Sequence, residues 1–78
     1  MDENILGKNI KYLRTMNGET LEELGNVIRA SKKTIQGYES GRRMPDIATI
    51  EKIAHYYGKM VDELVHNINN GVKEQVLL

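Results

Sequence analysis

The chain has 78 residues, 40% of them hydrophobic and none of them cysteine. That length suits one compact unit, and the missing thiols exclude disulfide staples, thiolate zinc sites and cysteine nucleophiles. Lysine plus arginine equal aspartate plus glutamate at 11 each, so the formal net charge is zero, which by itself speaks against a nucleic-acid binder.

Apolar residues recur at helical spacing along the chain, and β-branched alternation is absent. Leu6, Ile10 and Leu13 stripe a first helix, which Asn17-Gly18 stops. Thr20-Leu21-Glu22-Glu23 has the form of a capping box and opens a second helix, with Leu21, Leu24 and Ile28 on its inner face. Ser31 caps a third helix running from Lys32 to about Ser40, where Ile35 and Tyr38 share the buried side. Pro45-Asp46 marks a loop and a new cap, followed by a fourth helix striped by Ile47, Ile50, Ala54 and Tyr57. Val61, Leu64, Val65 and Ile68 predict a short fifth helix, broken at Asn69-Asn70-Gly71, and residues 72–78 predict an amphipathic tail. The expectation is an all-α fold of five short helices, with one domain over 1–68 and a C-terminal tail over 69–78.

Catalysis finds little support. The only histidines are His55 and His66, and no phosphate-binding glycine loop or nucleophile motif occurs. No enzyme activity, cofactor or metal site is therefore expected. Apolar runs are too short for a membrane span, and the acidic Met1-Asp2-Glu3-Asn4 start does not suit a secretory signal. No membrane association and a cytoplasmic location are expected.

The distribution of charge is more informative than its sum. Between Arg29 and Arg43 lie Arg29, Lys32, Lys33, Arg42 and Arg43, against the single acid Glu39. Residues 20–41 read as a capped helix, a tight turn at Arg29-Ala30 and a second capped helix that opens on two lysines, which is helix-turn-helix spacing. Gly25 admits close packing of the pair, and Ile28, Ile35 and Tyr38 fill the crossing. The second of these helices presents Lys32, Lys33, Thr34 and Gln36 from its N-terminal half, side chains suited to base edges in a major groove. Arg42 and Arg43 follow it and suit phosphate.

Thr20-Leu-Glu-Glu-Leu-Gly, Ser31-Lys-Lys-Thr-Ile-Gln-Gly-Tyr-Glu-Ser-Gly41, Arg42-Arg43-Met44-Pro45-Asp46 and Ile50-Glu51-Lys52-Ile53-Ala54 together resemble the phage Cro/repressor type of helix-turn-helix domain, the XRE family, over roughly residues 6–65. The resemblance implies a lambda-repressor-like five-helix domain that binds double-stranded operator DNA as a homodimer and regulates transcription. It implies base-edge contacts from Lys32, Lys33, Thr34 and Gln36, phosphate contacts from Thr20, Ser31, Arg42 and Arg43, and a structural ion pair between Arg14 and Glu39. A dimer interface is expected at Val61, Leu64, Val65 and Ile68, with the tail in support. Four positions depart from the family pattern. Leu21 replaces a polar Gln, Arg29 takes the Gly position of the turn, Gly37 replaces a long polar residue, and Met60 stands where Ser or Thr caps the fifth helix. A protein-interaction module, an antirepressor or antitoxin keeping the fold, is the alternative. Leu21 and the zero net charge favour it, and the basic cluster from Arg29 to Arg43 favours DNA.

Overall fold

The computed structural model describes residues 4–66, and the expected tail and Ile68 lie outside them. Within that span the chain forms α1 (Ile5–Met16), α2 (Leu21–Ile28), α3 (Lys32–Ser40), α4 (Ile47–Tyr56) and α5 (Val61–Val65), with no strand among the described residues. The expected all-α, five-helix architecture is therefore observed. Each helix is shorter than an isolated helix needs to be stable in water, so burial of the inner stripes holds them together.

That burial is shared evenly. Ile10, Leu24, Ile35, Ile53 and Leu64, one from each helix, are completely buried and meet at the centre. Each such side chain contributes roughly 1.5–3 kcal/mol relative to an exposed position. Leu6, Ile28, Ile50 and Ala54 extend the cluster, and Leu13, Leu21, Tyr38, Tyr57 and Val61 pack around it half-buried.

Three expectations are corrected here. Leu64 is wholly buried within its own chain, so it is core and has no surface to offer a second protomer. Ile47, expected on the buried stripe of α4, is 66% exposed, because the first turn of that helix projects past the core. Gly25 does pack closely, but what it admits is the turn: an added Cβ would collide with the Ala30 carbonyl oxygen rather than with the facing helix.

One buried polar residue organises the far end of the fold. Asn9 lies in the apolar stripe of α1 and is only 3% exposed. Its side-chain amide donates to the Leu64 carbonyl at 2.8 Å and also to the His66 carbonyl. Two carbonyls left over at the end of α5 are thus satisfied by the first helix of the chain.

Candidate nucleic-acid interface

The site is built from α2, the turn and α3. At the start of α2, the Glu23 N–H donates to Thr20 Oγ1 at 3.1 Å, and the Thr20 N–H donates to the Glu23 carboxylate at 2.8 Å. Both halves of the expected capping box are present. The helix ends on Arg29, which is left-handed at φ 60°, ψ 47°. It is the only non-glycine residue with positive φ among the described residues, and this conformation lets the Ala30 N–H return to the Gly25 carbonyl at 2.8 Å. A left-handed residue with a Cβ carries strain of about 1–2 kcal/mol.

Ser31 then caps α3, its Oγ accepting from the Thr34 N–H at 3.1 Å. From this start Lys32, Lys33 and Gln36 stand exposed, while Ile35 enters the core. Thr34 is different. It is half-buried, and its hydroxyl lies 2.9 Å from Ser31 Oγ, so it is engaged locally. Thr20 and Ser31 are exposed with their oxygens serving as helix caps. Arg42 and Arg43 are exposed in the loop after α3.

Gln36 and Arg42 border a shallow depression with Lys11 of α1 and Leu21 of α2, floored by Arg14 and Glu39. Sequence spacing marks Lys11 as an ordinary surface residue; only the packing of α1 beside α3 brings it next to Gln36. Leu21, the apolar departure, is half-buried in the same place.

Beneath this surface Arg14 and Glu39 are joined. Arg14 Nε donates to Glu39 Oε2 at 2.6 Å and a terminal nitrogen donates to Oε1 at 3.1 Å, with the two side chains only 11% and 8% exposed. The other terminal nitrogen donates to the Glu19 carbonyl at 2.7 Å. The hydrogen bonding that the guanidinium donates to the Glu39 carboxylate is the largest influence on it and raises its pKa above the ordinary value. The pair ties α1 to α3 and to the loop before α2, so it sets how the motif sits on the rest of the domain.

Glu19 carries a second connection, for which the sequence offers no spacing signal. Its carboxylate accepts from the Tyr57 hydroxyl at 2.6 Å and from the Tyr56 hydroxyl. Desolvation opposes its charge, but hydrogen bonds with Tyr56, Tyr57 and Asn17 and the nearby Arg14 charge together outweigh this and hold the carboxyl below its usual pKa. The Tyr57 hydroxyl is pushed up, first by burial and then by the adjacent Glu19.

The remaining expected positions are dispersed. Val61 is half-buried against the core and Val65 is 41% exposed at the end of α5. Met60 is extended and offers no side-chain cap; the Met60 N–H instead donates to the Glu63 carboxylate at 2.8 Å, which starts α5 regularly. Among the described residues no three histidine, aspartate or glutamate side chains gather as metal ligands, and no helix is long and apolar enough to cross a membrane.

Residues 10–64 match the helix-turn-helix family. The chain is 34% identical over 67 residues to the cryptic phage CTXphi transcriptional repressor RstR of Vibrio cholerae, a match that covers 86% of this chain and 60% of the repressor. Two crystal structures of the clp gene regulator ClgR from Corynebacterium glutamicum share the fold. One, 23% identical, has a TM-score of 0.76 and covers 95% of this chain and 79% of that one. The other, 24% identical, has a TM-score of 0.74 and covers 87% and 88%.

Proposed function

The chain belongs to the helix-turn-helix family, and from that premise we propose that it is a transcriptional regulator of the phage Cro/repressor type that reads double-stranded operator DNA with α3. One observation carries the proposal. The capped N-terminal half of α3 projects Lys32, Lys33 and Gln36 into solvent, with Lys11 and Arg42 bordering the same surface. A chain with no net charge thus concentrates its cations where a recognition helix would enter a groove.

Roles follow from the chemistry of each group. Lysine donates to guanine O6 and N7, and Gln36 matches adenine N6 and N7, each good bidentate pair discriminating by about 1–3 kcal/mol. Thr34, bonded to Ser31, contributes by holding the first turn of α3 rather than by a long reach. Thr20, Ser31 and Arg42 form the phosphate-facing surround, which fixes register more than sequence. A second copy of the chain, joined through Val61, Val65 and Ile68, would place two recognition helices in successive major grooves. The repressor named in the RstR match supports a repressing role, achieved by occupying a site that polymerase or an activator needs.

Repeated selection of bound duplexes from a random pool tests the proposal. Enrichment of a short motif, arranged as two inverted half-sites about one helical turn apart, is the expected outcome. Retention with no enriched motif contradicts sequence reading, and a single unrepeated half-site contradicts the dimer.

A further inference from the structure

Gly37 lies one helical turn after Lys33 on the same stripe of α3, and it has no side chain to present. Arg43 fills the space in front of it. A Cβ placed on Gly37 would stand 2.9 Å from Arg43 Cδ, 3.0 Å from Cγ and 3.3 Å from Cβ. The aliphatic stem of Arg43 therefore crosses the helix where a residue 37 side chain would leave it. The Arg43 N–H donates to the Gly37 carbonyl at 3.1 Å, so backbone and stem are both fixed to the same residue.

The head of Arg43 is available. The residue is exposed, and among the described residues no side chain pairs with its guanidinium. Arg42 is placed differently: its N–H donates to Ser40 Oγ at 3.3 Å, and it borders the depression beside Gln36 and Lys11. A phosphate clamp tolerates a stem with free rotations, because the charge works from many angles. A base reader requires a stem with few free rotations, since a planar fork must meet two acceptors at once.

We infer that Arg43 is a recognition side chain of α3 supplied from the following loop: seated on Gly37, it reads a base edge in line with Lys33, with guanine O6 and N7 as its acceptors. This rests on the DNA-reading function proposed above, and it replaces the phosphate role expected for Arg43 from its place in the sequence. Gly37 is the positioning residue. Its missing Cβ is what lets the stem lie flat.

Duplex selection with the wild type, Arg43→Lys, Arg43→Ala and Gly37→Ala tests this, with thermal melting to establish that each variant folds. The wild-type motif should contain a guanine whose preference disappears in Arg43→Ala and Arg43→Lys while the other positions persist. Arg43→Lys should keep the wild-type salt dependence, because its charge is unchanged. Gly37→Ala should blur the same position. Replacing that guanine by 7-deazaguanine should weaken wild-type binding by about 5-fold or more and leave Arg43→Ala indifferent. Should Gly37→Ala fail to fold, the two Arg43 variants decide alone. The inference is overturned if Arg43→Ala leaves every motif position intact and weakens all duplexes alike, with a salt slope smaller by about one, as loss of a phosphate contact requires. Failure of the wild type to enrich any duplex overturns the DNA-reading function, and this inference with it.

Discussion

Arg14 and Glu39 show how much one pair of side chains is asked to do. Both are nearly buried, and their two hydrogen bonds join the first helix to the third. Truncating one partner leaves the other charged and without its counterpart in a site that water scarcely reaches. Arg14→Ala is expected to cost on the order of 3–5 kcal/mol of stability. Removing both charges should recover part of that loss, because no unpaired charge remains. Denaturant unfolding of the two single variants and the double variant measures the coupling, and strictly additive losses would mean the two side chains do not support one another. The pair was legible in the sequence through the family resemblance alone, since nothing in the spacing of positions 14 and 39 requires contact. Asn9 and Glu19 were harder to see. A polar residue within the apolar stripe of Leu6, Ile10 and Leu13 marks Asn9 as buried, yet its partners are carbonyls of α5, a long way along the chain. The tyrosine partners of Glu19 come from the end of α4 and depend on tertiary packing.

At the scale of elements, the turn between α2 and α3 is both indispensable and strained. Thr20, Ser31, the apolar spacing and Gly41 make these helices readable from sequence to within a residue, because caps and periodicity are local signals. Arg29 is the exception to local preference. Its left-handed conformation is imposed by the requirement that Ala30 reach back to Gly25. Arg29→Gly relieves strain of about 1–2 kcal/mol, offset by the roughly 0.5–1 kcal/mol of extra freedom that glycine has in the unfolded chain. A net gain is expected, seen as a rise of a few degrees in Tm; a lower Tm would mean that the arginine side chain makes a contribution larger than its backbone strain. Gly37 and Ile47 show where periodicity is insufficient. The first is shielded by a loop residue six positions later, and the second lies on the correct stripe but beyond the edge of the core.

At the scale of the molecule, the five helices of the described residues depend on a small shared core, and polar ties secure its periphery. Glu19 is the tie with a pH signature. Its folded-state pKa lies below the ordinary value, so its contribution is complete above the usual carboxylate range and disappears as the pH falls through the lowered folded-state value. Thermal stability should therefore decline as solutions are acidified into and below that range. Glu19→Gln should melt at a lower temperature near neutrality and lose less on acidification; identical pH profiles for the two proteins would remove Glu19 from the acid response. Of the expected dimer residues that are described, Val65 is exposed and Val61 half-buried, while Leu64 is committed to the core.

The central claim, that the N-terminal half of α3 reads DNA, is tested most directly by the affinities of Lys33→Ala and Gln36→Ala for the selected duplex and for a scrambled one at moderate salt. Both variants retain the buried side of α3, so folding should be preserved. Gln36→Ala is expected to lose roughly 1–3 kcal/mol on the selected duplex and little on the scrambled one. Lys33→Ala should weaken the selected duplex more than the scrambled one as well. If both variants bind the selected duplex as tightly as the wild type, α3 does not enter the groove and the assignment of this surface to DNA is wrong.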